Sequence, residues 1–133
     1  MSHLDRVIHE VRETLALGAS EAVRGDQLLF YDLGFTSMDL LDLIFRLEEA
    51  FAIKIPEGTL AGLAQGDLAG EDFAVSGHLT AEGRRRLMAL LPDTPATVFP
   101  DRIHVQTLPR YCTVAAFTRL VEHLLTPDRA RDV

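Results

Sequence analysis

The stretch from Tyr31 to Pro56 constrains the fold most, because a glycine-containing turn in it runs straight into an amphipathic segment. After Ser37, apolar residues recur at spacings of three and four, which predicts a helix over 37–51. One apolar row contains Leu40, Ile44, Leu47 and Phe51. A second, adjoining row contains Leu41 and Phe45. The opposite surface carries Asp39, Asp42, Glu48 and Glu49 against a single Arg46.

Ser37 stands where the turn becomes the helix, and we expect it to be the N-cap, a position that favours serine. The first turn of a helix presents unpaired amides and the positive end of the helix dipole. A phosphate attached to Ser37 would therefore lie on an anion-binding site. Gly34 gives the preceding turn its conformational freedom.

These residues resemble the attachment motif of acyl carrier proteins. The match runs without a gap through Asp32-Leu33-Gly34, Ser37, the segment Leu47–Phe51 and Ile55-Pro56. It covers about a fifth of the chain. Two positions depart from the family pattern: Thr36 stands where aspartate is usual, and Met38 stands where leucine is usual.

The resemblance implies that Ser37 carries 4′-phosphopantetheine, transferred from coenzyme A by a phosphopantetheinyl transferase. An acyl group would be held on the arm as a thioester and presented to acyl-loading and chain-processing enzymes. The resemblance implies a role in fatty-acid, lipid or polyketide-type biosynthesis. It also implies that the protein is a carrier and catalyses no reaction itself. It implies a partner-docking face and two residues lining the acyl cavity, Ile44 and Leu47. The docking face consists of Met38, Asp39, Asp42, Glu48 and Glu49.

Three alternatives remain open. An aminoacyl or peptidyl cargo is compatible with Thr36, which removes a charge read by carrier enzymes. An unmodified interaction module would keep the same fold without the arm. A serine hydrolase is disfavoured, because a nucleophile elbow needs glycine two residues either side of the serine, where Phe35 and Asp39 stand.

Composition limits the range of partners. The net charge of −7 is concentrated in residues 1–58, which hold 5 basic and 11 acidic residues, and this argues against nucleic acid. Cys112 is the sole cysteine, so no internal disulfide can form, and we expect a cytoplasmic, reducing setting. No stretch has the length of a membrane span. We expect a monomer with no metal site and no catalytic residue.

The flanking sequence predicts an all-α, acyl-carrier-like four-helix bundle in a single domain, 1–133. We predict a first helix over 3–18 ended by Gly18, a loop over 19–36, a third helix over Thr59–Leu68, and a last helix from Thr113 to Pro127. The loop would be anchored by Leu28, Leu29, Phe30 and Leu33.

An insertion, at about 69–111, separates the third helix from the last. Within it we predict one helix capped by Thr80, and short strands at Phe73–Val75 and Ile103–Gln106. Arg84-Arg85-Arg86 is either a solvated helix face or a contact for an acidic partner or the phosphate arm. His78 and His104 lack metal-ligand spacing, so we expect ordinary histidines.

Overall fold

The computed structural model describes residues 2–18 and 21–125, which divide into two compact units. The first unit is Met1–Ile55 with Thr113–Val133, and the second is Pro56–Cys112. The helices are α1 (His3–Leu15), α2 (Ser37–Phe51), α3 (Thr59–Gln65), α4 (Gly70–Phe73), α5 (Ala81–Leu90) and α6 (Val114–Leu124). The strands are β1 (Ala74–Val75) and β2 (His78–Leu79), and 3₁₀ turns cover Ala96–Val98 and Val105–Tyr111. The predicted all-α fold with a small insertion is confirmed.

In the first unit, α1 packs against both α2 and α6. A capping box between Ser2 and Asp5 begins α1, and Val7 and Val11 are fully buried on its inner face. The helix ends earlier than predicted, because Ala16 rather than Gly18 adopts the left-handed conformation, with φ 54°. The Ala16 amide then donates to the carbonyls of Arg12 and Glu13, which closes the last turn.

The long loop before α2 is fixed by backbone contacts to the start of α6. The amides of Ala115 and Val114 donate to the carbonyls of Gly25 and Gln27, at 2.8 and 2.9 Å. Leu28 and Thr113 form an isolated antiparallel bridge. All four predicted anchors are buried or half-buried, and Phe35, which the pattern did not single out, is 5 % exposed. Residues 25–28 of the loop are thus bonded to the start of α6 within the first unit.

Helix α6 begins as predicted, with the Thr113 hydroxyl accepting from the Ala116 amide at 3.0 Å. Its buried face holds Val114, Phe117, Leu120 and Val121. Leu124 and Leu125 at its end are half-buried. The predicted stop at Pro127 lies outside the described residues.

In the second unit, α3 stops at Gln65 rather than Leu68, because Gly66 leaves the helical region with φ 54° and ψ −122°. Thr80 caps α5 as predicted, its hydroxyl accepting from the Gly83 amide at 3.0 Å. Gly83 is required by the close approach of α4, since a Cβ there would lie 2.1 Å from the Phe73 carbonyl oxygen. The core of this unit includes Phe99 and the nearly inaccessible Leu87, Leu91, Ile103 and Leu108.

The second unit contains a pair of short strands, but the predicted strand at Ile103–Gln106 was wrong. Ala74–Val75 pairs with His78–Leu79 across a tight hairpin, and Phe73 belongs to α4. Of the segment Ile103–Gln106, only His104 makes a β-bridge, with His78. The His104 side chain accepts from the Gln106 amide at 3.2 Å, which starts a 3₁₀ turn in place of a strand. The boundaries of the insertion and the single-domain organisation stay predictions.

Candidate functional site

Thr36, not Ser37, is the N-cap of α2, so this prediction was wrong. Thr36 is extended (φ −100°, ψ 173°), and its hydroxyl accepts from the Asp39 amide at 3.2 Å. The Asp39 carboxylate in turn accepts from the Thr36 amide at 2.9 Å and the Thr36 hydroxyl at 3.1 Å. This capping box satisfies two otherwise unpaired amides. Thr36 therefore caps α2 with an uncharged side chain.

Because Thr36 does the capping, the hydroxyl of Ser37 is left free. Ser37 is the first residue of α2 and is exposed. Within the described residues, its hydroxyl makes no hydrogen bond, and the amides of Ser37 and Met38 have no acceptor. A phosphodiester on Oγ would lie beside these two donors at the positive end of a 15-residue helix. The residues present therefore fit a phosphate-linked group.

The turn before Ser37 is held rigidly by its own backbone. The Asp32 carboxylate accepts from the Leu28 amide at 2.8 Å, and the Phe35 amide donates to the Leu29 carbonyl at 3.0 Å. Gly34 occupies the left-handed region with φ 73°, as the turn requires. Burial of Phe35 then anchors the chain one residue before the cap. The serine is exposed, but the backbone that presents it is fixed.

Most carboxylates of the predicted docking face are already bonded to groups of the protein itself. Met38 is 72 % exposed and Glu49 is exposed. Asp39 is held by the cap, and Asp42 pairs with Arg46 at 3.0 Å. Glu48 accepts from the Ile55 amide at 2.8 Å. Three of the four carboxylates are therefore engaged by neighbouring groups of the same unit.

Arg46 links α2 to a buried carboxylate that the sequence pattern did not reveal. Glu10 on α1 is 8 % exposed and lies 3.4 Å from Arg6 and 4.0 Å from Arg46. The hydrogen bond to Asp42 raises the pKa of Arg46, and the charge of Glu10 adds to the effect. The sequence did hold one signal for this burial, because Glu10 lies among the apolar residues of α1. Acidic side chains are seldom buried unless a basic group pairs with them.

The predicted cavity residues lie on the inner side of α2. Leu47 is fully buried and Ile44 is half-buried. Leu43 is also fully buried, and the apolar row drawn from the sequence omitted it. The centre of the buried face therefore runs through Leu43 and Leu47. Leu41 and Phe45 are exposed at 44 % and 57 %.

The three arginines of α5 are all engaged within the second unit. Arg84 donates to the carbonyls of Pro100 and Phe99, both at 2.9 Å. Arg85 pairs with Glu82 at 2.6 Å, and Arg86 pairs with Asp67 at 3.2 Å. The hydrogen bond from Arg85 lowers the pKa of Glu82. The three arginines therefore do not form a wholly solvated helix face.

Other candidate residues carry little chemistry. The rings of His78 and His104 lie 5.2 Å apart, edge to face. Over residues 2–18 and 21–125, no three metal-ligating side chains come together. Cys112 is 1 % exposed. None of the described helices is long and apolar enough to span a membrane.

Comparison with known proteins gives the family. The phosphopantetheine attachment site family matches residues 5–65. An acyl carrier protein of Prochlorococcus marinus (strain MIT 9515) is 39 % identical over 61 residues, which are 46 % of this chain and 75 % of the relative. The chloroplastic acyl carrier protein 1 of Spinacia oleracea is 41 % identical over 54 residues, 41 % of this chain and 38 % of the relative. No solved structure matches the chain significantly. The family match includes the segment that presents Ser37, and the chain belongs to the acyl carrier protein family.

Proposed function

We propose that Ser37 is the attachment residue through which this acyl carrier protein bears 4′-phosphopantetheine. The observation that supports the proposal is the exposed Ser37 hydroxyl at the first position of α2, which makes no hydrogen bond within residues 2–18 and 21–125. The capping box leaves this hydroxyl without a structural task. The chain would hold acyl intermediates of fatty-acid, lipid or polyketide-type biosynthesis and would catalyse no step itself.

Each residue of the site has a distinct part in this function. When bound, the prosthetic group supplies a thiol that holds the acyl chain as a thioester. The Ser37 oxygen anchors the phosphate, and the free amides of Ser37 and Met38 are placed to donate to it. Thr36 and Asp39 fix the helix start that orients these donors. Ile44 and Leu47 lie on the side of α2 where an acyl chain would be sheltered.

The partners follow from the same assignment. A phosphopantetheinyl transferase would load Ser37, and acyl-loading and chain-processing enzymes would approach along α2. Met38, Asp39, Asp42, Glu48 and Glu49 are the proposed docking residues. We further propose that the protein acts as a monomer and in the cytoplasm, where its single cysteine would stay reduced.

A second candidate is an aminoacyl or peptidyl carrier. Thr36 supports it, because this exposed position lacks the charge usual in the family. The two functions share Ser37 and differ in the cargo and in the enzyme that loads it. The test incubates the phosphopantetheine-bearing protein with an acyl ligase and, separately, with an adenylating amino-acid enzyme. The mass of the thioester formed shows which cargo is accepted.

The test of the attachment site is an intact mass after incubation with coenzyme A, magnesium and a broad-specificity pantetheinyl transferase. We expect wild type to gain the mass of one phosphopantetheine and Ser37→Ala to gain none. Ser76→Ala is the matched control, because Ser76 is also exposed but lies in the hairpin turn. Equal modification of Ser37→Ala and wild type would refute the assignment. Failure to modify any variant would favour an unmodified interaction module.

A further inference from the structure

Backbone hydrogen bonds fasten the loop before Ser37 to the start of α6. The first two amides of α6, those of Val114 and Ala115, donate to the carbonyls of Gln27 and Gly25 at 2.9 and 2.8 Å. The first amides of a helix have no acceptor within that helix, so the two loop carbonyls cap α6. Moving the loop would therefore leave both the helix end and the carbonyls unpaired.

Leu28 continues this bonded stretch towards the serine. Leu28 is buried and forms the β-bridge with Thr113. Its carbonyl accepts from the amides of Asp32 and Leu33, both at 3.0 Å. Its amide donates to the Asp32 carboxylate at 2.8 Å, and within the described residues this amide has no backbone acceptor. Asp32 thus supplies the acceptor for an amide of a buried residue that would otherwise be unpaired.

The bonded stretch ends two residues before Ser37. The Phe35 amide donates to the Leu29 carbonyl, and the Phe35 side chain is buried. Only the capping residue Thr36 separates Phe35 from the serine. A change in the backbone around Leu28 would therefore displace the Ser37 hydroxyl, because hydrogen-bonded residues connect the two positions.

We propose that Asp32 is a positioning residue for the transfer of phosphopantetheine to Ser37. Its carboxylate holds Leu28, and the bonds that follow Leu28 hold the turn that presents the serine. Asp32 acts through a hydrogen-bond acceptor and not through its charge, since the Leu28 amide needs only an oxygen that accepts. The proposal rests on the proposed function, because the reaction at Ser37 is the one affected.

The transfer reaction makes the position of the serine oxygen important. The Ser37 oxygen forms a bond to the phosphorus that bears pantetheine, the bond from that phosphorus to the leaving nucleotide breaks, and the hydroxyl proton is released. A misplacement of about 1 Å in a reacting group can lower the rate about a hundredfold. Loss of the bond from Asp32 should therefore lower kcat more than it raises KM.

The experiment measures kcat and KM of a broad-specificity pantetheinyl transferase for wild type and Asp32 variants, with coenzyme A and magnesium. We expect Asp32→Ala to lower kcat about tenfold and to change KM less than about twofold. Asp32→Asn should keep kcat within about twofold of wild type, because the amide oxygen can accept the same bond. Asp26→Ala is the matched control, since Asp26 is an exposed carboxylate of the same loop that pairs with Arg24.

Amide hydrogen exchange tests the contact without any transferase. Exchange at Leu28 and Phe35 should be faster in Asp32→Ala than in wild type, and unchanged in Asp32→Asn. Unchanged exchange at Leu28 in Asp32→Ala would overturn the proposal. Far-ultraviolet circular dichroism at the assay temperature establishes whether each variant is folded. If Asp32→Ala does not fold, Asp32→Asn still decides, because a full kcat supports an acceptor role and a loss contradicts it.

The kinetic outcomes separate Asp32 from the attachment site. An equal loss of kcat in Asp32→Ala and Asp32→Asn would show that the charge matters and would overturn the positioning role. An unimpaired kcat in both variants would overturn it as well. In either case a modified wild type leaves Ser37 standing as the attachment residue. A wild type that no transferase modifies would overturn the proposed function, and the positioning role with it.

Discussion

Helices α2 and α5 both carry runs of charge, but they use them in different ways. On α2, Asp39 caps the helix start, Asp42 pairs with Arg46, and Glu48 accepts from the Ile55 amide. Met38, Leu41 and Phe45 of the same helix are exposed. On α5, Arg84 donates to the carbonyls of Phe99 and Pro100 in an irregular segment, and Arg86 donates to the Gln65 carbonyl at the end of α3. Backbone carbonyls in irregular chain and at helix ends need donors, and long arginine side chains supply them. A run of like charge is therefore poor evidence of a docking site when irregular chain lies nearby.

The largest effect should come from the buried row of α2. Leu43 is fully inaccessible, so Leu43→Ala should lower the free energy of unfolding by about 3 kcal/mol through lost burial and a residual cavity. Leu41, 44 % exposed on the same helix, is the control, and Leu41→Ala should cost less than about 0.5 kcal/mol. Urea denaturation followed by circular dichroism measures both. A comparable loss in Leu41→Ala would show that Leu41 is packed as part of the core, contrary to its exposure.

An intermediate effect should come from α5. Arg84 is half-buried and donates to two backbone carbonyls, so Arg84→Met should destabilise the protein by about 2 kcal/mol, because both acceptors lose a charged donor. Arg85 has a side chain that is 68 % exposed and pairs with Glu82, so it is the matched control, and Arg85→Met should cost under about 0.5 kcal/mol. Thermal unfolding of both variants tests the comparison. An equal loss of stability in the two variants would mean that the bonds from Arg84 to the two carbonyls do not stabilise the fold more than the exposed pair of Arg85 does.

The smallest effect is a pH dependence at the start of α5. The hydrogen bond from Arg85 lowers the pKa of Glu82, with smaller contributions from Arg86. A folded-state pKa below the unfolded value of about 4.3 stabilises the fold above that pH, and the gain is lost as pH falls through the folded value. Glu82→Gln should therefore have a slightly lower melting temperature than wild type at pH 7, and this difference should shrink as the pH falls through the folded-state pKa of Glu82. Glu57→Gln, which removes one carboxylate at an exposed residue, is the control for the change in net charge. A difference for Glu82→Gln that does not shrink on acidification would contradict the assignment.

The sequence alone determined α2, its limits and the presentation of Ser37. Those features are local: apolar spacing, a glycine turn and capping residues act over a few positions and need no distant partner. The caps of α5 and α6 were predictable for the same reason. The choice between Thr36 and Ser37 as the cap was not, since both side chains can accept the same amides and the backbone angles decide.

Tertiary structure decided which of those residues are available. Glu10 is buried because Arg6 and Arg46 lie beside it, and Arg46 comes from another helix. Val105 and Gln106 belong to a 3₁₀ turn and not to a strand, because the His104 side chain caps the turn and His104 makes a single bridge, with His78. Arg84 found its carbonyl partners fifteen and sixteen residues away in the chain. Charge and apolar pattern fix what a residue can do, but neighbours brought together by folding fix whether it is free to do it.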